Sequence, residues 1–414
     1  MTGTVSAAES SPLVLTPVKG GPLPAKPTYD RGEAGQAAFA QAVDQLWRND
    51  SWVNPATGQR ELNADLVLEG GGVKGIGLAG AVLVLAEAGY RFPRAAGTSA
   101  GAIAAVLVAA IEKSGQDMTA LSRYLGDLDY TRFTQTGPVR HIFERAGGRF
   151  ADAGELIFHS GLYSGDYLNA WLGGKLAECG VRSWADLAIG LADDPQLSLP
   201  PAHRYRAVVH VSDITRGTLA RLPWDYQDFY GLAARDQEVV AAARASMSIP
   251  FFFTPVQTST REAQTPMPDG SVVSWPGGTV TWVDGGMLMN FPISAFDRED
   301  GKPGRWPTIG IKLSAAPGAQ PRDVPVGNTF DEGVRCLMTM TGEWDRYHVE
   351  QDTAERTIFV PNAGVSATEF ALPPSRQQEL FLNGARAATT FLVRWADAGG
   401  VPRSGRVGTA GAVA

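Results

Sequence analysis

The sequence predicts an α/β fold in which helices cover both faces of a mainly parallel sheet. Short apolar segments alternate along the chain with longer segments of helical periodicity, as in parallel strands joined by crossover helices. In the clearest unit, the apolar strand Leu66–Leu68 runs through a glycine-rich turn into a helix over Ile76–Ala88. A helix of mostly small apolar residues follows over Ala100–Glu112 and is expected to be buried. A three-layer α/β/α arrangement is therefore expected.

The later elements continue this alternation. Short apolar runs predict four further strands, and 3.6-residue periodicity predicts two further helices. In chain order these are the strand Tyr205–Val211, the helix Gln237–Ala245, the strands Val280–Val283, Thr308–Leu313 and Thr357–Val360, and the long helix Ser375–Trp395. Two segments, Asp193–Pro201 and Thr258–Gly278, are predicted to be inserted loops, the second because it is rich in turn residues.

Four parts of the chain are distinguished by composition and pattern. Residues 1–60 are predicted to be a flexible N-terminal extension, because the first 35 are rich in Ser, Thr, Pro and Gly. Within this extension, Gln36–Trp47 has the pattern of a short amphipathic helix. Residues 64–297 form the main predicted domain, and residues 298–398 an α/β region on the same core. Residues 399–414 are small and are predicted to be a flexible tail.

Composition restricts the classes of function. The chain has 414 residues, 44% of them apolar, and a net charge of −7, which argues against a nucleic-acid partner. Cys179 and Cys336 share no metal-ligand spacing, and we expect two buried free thiols rather than a disulfide. The first 15 residues lack the pattern of a secretory signal, and no apolar run reaches 18 residues. A cytoplasmic protein without a transmembrane segment is therefore expected.

The glycine-rich turn Gly70–Gly75 formally matches G-x-G-x-x-G. A dinucleotide site of this type would have an acidic residue about twenty positions further on, but residues 90–94 read Tyr-Arg-Phe-Pro-Arg. A P-loop requires Ser or Thr after its lysine, whereas Lys74 is followed by Gly75. Taken alone, this motif also fits a strand-to-helix turn without a ligand. A nucleotide- or phosphate-binding protein without hydrolytic activity remains the alternative hypothesis.

The same turn has the properties of an oxyanion hole. Its glycines let the backbone N–H groups of Gly71, Gly72 and Val73 approach an anionic oxygen closely. The helix that follows adds the positive end of its dipole. Lys74 can orient this loop or attract an anionic group, but it also fits a solvated surface lysine.

A second turn supplies a candidate nucleophile. Gly97-Thr-Ser-Ala-Gly101 places Ser99 between a short strand and a buried helix, which is the context of a nucleophile elbow. Gly97 and Gly101 leave room for a strained turn and for close packing between the helix and the strand. A simple N-cap role for Ser99 is the less favoured alternative.

The base that would activate Ser99 is better supplied by an aspartate than by a histidine. Val280–Asp284 reads as a strand ending in Asp284-Gly285-Gly286, so that Asp284 can face the edge of the sheet where open α/β folds bind ligands. Only His348 follows Asp284, and its polar surroundings favour a surface position. The chain's histidines are His141, His159, His203, His210 and His348.

These three motifs, in this order, resemble the patatin-like phospholipase family. The segments Ala245-Ser-Met-Ser-Ile-Pro250 and Asp284-Gly-Gly-Met-Leu-Met-Asn-Phe-Pro292 are also similar to that family. The resemblance is clear over about residues 64–297 and implies that this is the catalytic domain of a patatin-like three-layer fold. Lys74 stands where the family has Lys or Arg.

The resemblance implies a serine lipid acyl hydrolase with a Ser-Asp dyad. Ser99 would be the nucleophile and Asp284 its base, and the amides of Gly71, Gly72 and Val73 would bind the oxyanion. The expected motif glycines are Gly70, Gly75, Gly97, Gly101, Gly285 and Gly286. No metal or organic cofactor is expected, and the implied partner is a lipid or ester substrate, with peripheral contact to a membrane surface compatible with it.

Overall fold

A computed structural model of the chain describes residues 31–129, 132, 165–191, 194, 198–250, 252–267, 269–298, 300, 302–313, 339, 351–365, 367, 369 and 372–400. The helices of these residues are α1 (Gly32–Asn49), α2 (Ile76–Glu87), α3 (Ala100–Ser114), α4 (Ala120–Gly126), α5 (Asp166–Glu178), α6 (Tyr226–Tyr230), α7 (Val239–Ser246), α8 (Gln351–Glu355) and α9 (Pro374–Asp397). No helix among them has the length and apolar character needed to cross a bilayer.

The strands build one large sheet and two small ones. They are β1 (Trp52–Val53), β2 (Arg60–Asn63), β3 (Asp65–Leu68), β4 (Tyr90–Arg91), β5 (Ala95–Thr98), β6 (Ala207–Asp213), β7 (Thr218–Leu222), β8 (Val256–Thr260), β9 (Ala263–Pro266), β10 (Val272–Trp275), β11 (Gly278–Asp284), β12 (Thr308–Lys312) and β13 (Thr357–Phe359). The large sheet has eight strands, in the order β13-β12-β3-β5-β6-β11-β8, with β7 also paired to β6.

Five strands of this sheet are parallel, from β13 through β12, β3 and β5 to β6. The other three pair antiparallel, β11 with both β6 and β8, and β7 with β6. Helices lie on both sides, so the three-layer α/β/α fold is confirmed. The sheet is therefore mixed: its parallel part carries β5, and its antiparallel part carries β11, the strand that ends at Asp284.

Helices α2 and α9 pack with unusually close backbones. A Cβ added to Gly384 would lie 1.9 Å from the carbonyl oxygen of Gly77, and one added to Gly80 would lie 2.0 Å from that of Phe381. Since no side chain fits at these points, the glycines set the distance between the two helices. Through β12, β13 and α9, the C-terminal region shares the sheet and core of the main domain.

The N-terminal extension is ordered earlier than the sequence indicated. Helix α1 begins at Gly32, and its residues Phe39, Ala42 and Leu46 are buried in the common core. Only residues 1–30 of the predicted flexible part lie outside the described residues. The expectation of a flexible segment to residue 60 is wrong from residue 32 onward, whereas the helix expected over Gln36–Trp47 is present within α1. Val43 and Trp47 of this helix also pack against the core.

The predicted loop Thr258–Gly278 contains strands instead. It includes the end of β8 and the antiparallel pair β9 and β10. Residues of β8 and β10 alternate between partly buried and exposed positions. Most residues of β8 are polar, and the apolar residues of β10 are flanked by Pro, Asp and Gly, so the apolar pattern of a strand is weak or interrupted there. Of Asp193–Pro201, residues 194 and 198–200 are described and lie outside helices and strands, and a short 3₁₀ turn begins at Pro201.

Candidate active site

Ser99 occupies a strained turn between β5 and α3. Its φ of 54° and ψ of −125° lie in a region that residues with a side chain rarely adopt. Glycines on either side make this turn sterically accessible. A Cβ on Gly97 would lie 2.2 Å from the carbonyl oxygen of Gly101, and one on Gly101 would lie 2.2 Å from that of Leu68. The geometry is that of a nucleophile elbow.

Asp284 reaches Ser99 from the end of β11. The hydroxyl of Ser99 donates a hydrogen bond of 2.6 Å to Oδ2 of Asp284. The other carboxylate oxygen, Oδ1, accepts the N–H of Gly286 at 2.7 Å, which fixes the plane of the carboxylate. Ser99 and Asp284 are each only 4% exposed. The sulfur of Met247 lies 3.9 Å from the Ser99 oxygen.

Burial raises the pKa of Asp284 from 3.8 to about 7. Burial keeps water away from the charged carboxylate, which raises the pKa. This effect is larger than that of the hydrogen bonds from Ser99 and Gly286, which lower the pKa. A carboxylate with a pKa near 7 accepts a proton more readily than an ordinary aspartate and is still ionised in weakly alkaline solution. The pair therefore has the geometry and the basicity of a nucleophile with its base.

The glycine-rich turn lies beside this pair. A Cβ added to Gly70 would lie 3.1 Å from Cβ of Ser99. The N–H of Gly70 donates to the carbonyl oxygen of Asn290, and that of Val73 to the carbonyl oxygen of Ala367, each at 3.1 Å. The N–H groups of Gly71 and Gly72 have no partner among the described residues. Of the three candidate oxyanion donors, Val73 is thus engaged in this conformation.

Charged side chains lie next to the glycine-rich turn. Lys312 and Glu69 form a buried ion pair, and the other oxygen of Glu69 accepts the N–H of Leu313 at 2.5 Å. Desolvation lowers the pKa of Lys74, opposed by Glu69 and assisted by Lys312. Lys74 itself is half-buried beside this ion pair.

Helix α7 contributes residues whose role the sequence did not reveal. The hydroxyl of Ser246 accepts the N–H of Ser99 at 2.8 Å and donates to the carbonyl oxygen of His210 at 2.7 Å. The carbonyl oxygen of Ser248 accepts the N–H of Asp284 at 2.9 Å. The similarity of residues 245–250 to a family segment marked this stretch, but it did not say what the serines bind.

Histidines do not complete a triad among the described residues. The hydroxyl of Ser99 contacts Asp284 and Met247 there, and no imidazole. His210 is buried, and burial lowers its pKa to about 4. His203 stacks on Trp224 with ring centroids 4.3 Å apart. His141, His159 and His348 lie outside the described residues.

The structure describes one of the two cysteines that were expected to be buried free thiols. Cys179 is a buried free thiol, and Cys336 lies outside the described residues.

Within the described ranges, no group of three or more His, Cys, Asp or Glu could hold a metal ion. A cavity of about 700 Å³ lies elsewhere, lined in part by Trp52, Trp224 and Trp306, and neither Ser99 nor Asp284 lines it.

Apolar residues near the motifs divide between core and surface. Ile249, Phe253 and Trp282 are buried, whereas Leu288 is 48% exposed four residues after Asp284. Phe251 lies outside the described residues. The described apolar residues near the motifs therefore include both core and exposed positions.

Comparison with known proteins gives a family and one close relative. A family model described as patatin-like phospholipase matches residues 66–297. The uncharacterized protein YqhO of Bacillus subtilis (strain 168) is 33% identical over 331 residues, which are 80% of this chain and 98% of that protein.

Three solved structures are similar at lower identity. VipD from Legionella pneumophila is 17% identical with a TM-score of 0.43, covering 83% of this chain and 69% of its own. The type III effector ExoU is 16% identical with a TM-score of 0.36, and the match covers 80% of this chain and 53% of ExoU. Human GIVD cytosolic phospholipase A2 is 11% identical with a TM-score of 0.39, over 90% of this chain and 66% of that one.

The family match covers more than half of the chain, and the bacterial relative is similar across nearly its whole length. The chain therefore belongs to the patatin-like phospholipase family, a family of lipid hydrolases.

Proposed function

We propose that this protein is a serine lipid acyl hydrolase, a phospholipase A or a broader esterase, which works through Ser99 and Asp284. The observation that carries the proposal is the 2.6 Å hydrogen bond between the Ser99 hydroxyl and the Asp284 carboxylate, at a strained turn beside a glycine loop. Both groups are withdrawn from water, which strengthens the electrostatic interactions of the site.

Acylation follows from this geometry. Oγ of Ser99 attacks the ester carbonyl carbon while Oδ2 of Asp284 takes the hydroxyl proton. The carbonyl oxygen becomes an oxyanion and is bound by the N–H groups of Gly71 and Gly72, which have no partner among the described residues. The N–H of Val73 is a third donor only if its hydrogen bond to the carbonyl oxygen of Ala367 is broken. The intermediate then collapses: the bond to the alcohol oxygen breaks, and Asp284 returns its proton to that alcohol.

Deacylation uses the same groups in reverse. A water molecule attacks the acyl-Ser99 ester and gives its proton to Asp284. The Ser99 oxygen leaves and regains a proton from Asp284, and the carboxylic acid is released. No step requires an oxidant or a second cosubstrate besides water. The positive ends of the helix dipoles favour anionic oxygens at this end of the sheet.

The lipid substrate follows from the family and from the apolar surroundings. Leu288 is exposed close to Asp284 in the chain, and Met247 contacts the nucleophile directly. An acyl chain that packs on such residues places its ester carbonyl at Ser99. We propose a cytoplasmic enzyme that meets its substrate at the surface of a membrane.

Labelling with a fluorophosphonate, combined with release of fatty acid from phospholipid vesicles, tests the proposal. The wild-type chain is expected to be labelled and to hydrolyse lipid, and Ser99→Ala to lose both, with a fall of at least ~10³-fold in turnover. Ser114→Ala is the matched control, since Ser114 ends the helix that follows Ser99 and bonds only its own turn. Near wild-type turnover in Ser99→Ala, or a wild type that binds nucleotide and is never labelled, would overturn the assignment.

A further inference from the structure

The end of helix α7 and the residues just after it contact both members of the dyad. The hydroxyl of Ser246 holds the N–H of Ser99 at 2.8 Å, and the carbonyl oxygen of Ser248 holds the N–H of Asp284 at 2.9 Å. Ser99 and Asp284 are 185 positions apart in the chain. Two residues separated by a single Met247 thus connect a nucleophile and a base that come from different strands.

Ser99 needs such a contact because its backbone is strained. A residue with a side chain stays at a φ of 54° only when its surroundings determine that conformation. The N–H of Ser99 is held by a side-chain hydroxyl, that of Ser246, which is itself fixed by donating to His210 at 2.7 Å. Ser246 is completely buried, so water has no access to replace this hydroxyl.

Arg244 fixes the segment that carries these serines. Its guanidinium donates to the hydroxyl of Ser248 at 2.5 Å and to the carbonyl oxygen of Thr254 at 2.9 Å. The Ser248 hydroxyl donates back to the carbonyl oxygen of Arg244 at 3.0 Å. Arg244 is buried, and a Cβ on Gly165 would lie 2.0 Å from its Nε. The segment that carries Ser246 and Ser248 is therefore held in a fixed position relative to Ser99 and Asp284.

We propose that Ser246 is a positioning residue of the Ser99–Asp284 dyad, whose hydroxyl holds the strained Ser99 backbone so that Oγ stays aligned with Oδ2 of Asp284. This inference rests on the proposed function. Ser246 touches no reacting atom, so its loss misaligns the two groups without removing either. A misplacement of about 1 Å is enough to cost on the order of 100-fold in rate.

Kinetics of Ser246→Ala test the proposal. We expect kcat to fall about 10- to 100-fold while KM changes little, because the hydroxyl does not contact substrate. The acid limb of kcat/KM is expected to move to higher pH. The hydrogen bond from Ser99 lowers the pKa of Asp284 against the effect of burial, and a loosened Ser99 weakens that bond. Gly286, the other group that lowers this pKa, is untouched by the change.

Two further variants separate positioning from stability. Ser122→Ala is the matched control, since Ser122 is equally buried and donates to the carbonyl oxygen of Thr119, just before its own helix, at 2.9 Å. It is expected to keep both kcat and the acid limb. Ser246→Cys keeps the size of the side chain with a much weaker hydrogen-bonding group, and its kcat is expected between wild type and Ser246→Ala.

The outcomes separate the two proposals. A wild type that neither reacts with a fluorophosphonate nor hydrolyses esters overturns the proposed function and this inference together. If the wild type is active, a folded Ser246→Cys or Ser246→Ala variant with wild-type kcat and an unmoved acid limb overturns the inference alone. The same holds if activity falls only in proportion to the fraction of folded protein, as a purely structural role predicts.

Discussion

The carbonyl oxygen of Ala367 lies against Gly72, so that a Cβ added to Gly72 would come within 2.0 Å of it. Gly72 has a φ of +56°, a conformation that side chains rarely adopt. The same carbonyl oxygen accepts the N–H of Val73 at 3.1 Å. The glycine turn is therefore closed on one side by the chain itself, and it has no room for a larger residue.

Gly72→Ala is expected to lower kcat about 10²–10³-fold, which is the loss typical of a displaced oxyanion donor. The methyl group would push the turn away from Ala367 and strain its backbone. Gly174→Ala is the matched control, since Gly174 lies in helix α5 with nothing within 4 Å of an added Cβ. The control should keep full activity and gain about 0.5–1 kcal/mol of stability. An unchanged kcat in Gly72→Ala would make the turn purely structural.

The pH dependence of kcat/KM should show an acid limb near pH 7. Asp284 accepts the Ser99 proton only when ionised, and burial raises its pKa to about 7. Activity is therefore expected to rise with pH through that value and then level off. Asp284→Asn should be nearly inactive, because its amide cannot take the proton. A limb near pH 4 in the wild type would contradict the desolvated environment of this carboxylate.

Asp284→Asn should nevertheless stabilise the fold in alkaline solution. Because the folded-state pKa lies above the ordinary 3.8, the stability from this group is complete below about pH 4 and is lost as pH rises through about 7. The total loss is at most about 4 kcal/mol, of which about 2 kcal/mol falls between pH 5.5 and the folded-state pKa. Urea unfolding at pH 5.5 and pH 8.5 should show the advantage of Asp284→Asn growing by about that amount.

An exposed aspartate is the control for this measurement. Asp269 lies in a surface turn, where hydrogen bonds from Ser271 hold its pKa below the usual range. It stays ionised in both states between pH 5.5 and pH 8.5, so Asp269→Asn should show no such growth. Equal pH dependence in both variants would mean that Asp284 is not desolvated.

Much of the fold was readable from the sequence because it depends on local patterns. The helix predicted over Ala100–Glu112 extends over Ala100–Ser114, and the strand predicted over Val280–Val283 over Gly278–Asp284. These elements are strongly apolar and lie in the core, where burial and periodicity coincide. Helix α1 agrees with the amphipathic pattern over Gln36–Trp47, but its docking on the core depends on tertiary contacts. Strands β9 and β10 lie among turn residues and pair with each other, and a sequence pattern does not contain that pairing.

The site shows the same division. Ser99, Asp284 and the glycine turn stand out in the sequence, and the structure brings the first two within 2.6 Å of each other. Ser246 is an ordinary residue at the end of a helix, and its contacts with Ser99 and His210 arise only when α7 packs against the sheet. Arg244 binds Ser248 and Thr254 close by in the chain, and no motif marks these contacts. The engagement of Val73 by Ala367 joins positions nearly 300 residues apart, which no local motif encodes.

Histidine variants should leave the reaction largely intact. The Ser99 hydroxyl donates to a carboxylate, and the described histidines do not contact it. His203→Gln and His348→Gln are expected to keep most of the wild-type kcat and the same acid limb. His348 is the sharper case, since it alone follows Asp284 in the chain. A folded but inactive His348→Gln variant, measured on a short p-nitrophenyl ester, would restore a triad and overturn the dyad.

The buried ion pair beneath the glycine turn should be strongly coupled to folding. The side chains of Lys312 and Glu69 are only 4% and 5% exposed. Glu69→Gln leaves the Lys312 ammonium buried without its countercharge, and removal of one partner of such a pair typically costs about 3–5 kcal/mol. The double variant Glu69→Gln/Lys312→Met removes both charges of the pair, so its loss of stability should be smaller than the sum of the single losses.

Urea unfolding of the three variants measures this coupling. Glu238→Gln is the control, since Glu238 pairs with Arg182 at 3.4 Å on the surface, with side chains 52% and 86% exposed. Water solvates both groups there, so the control should lose less than about 1 kcal/mol. Two results would contradict the prediction: strictly additive losses of stability in the double variant, or a loss in Glu69→Gln as small as in the control. Either would show that water solvates the Glu69–Lys312 pair.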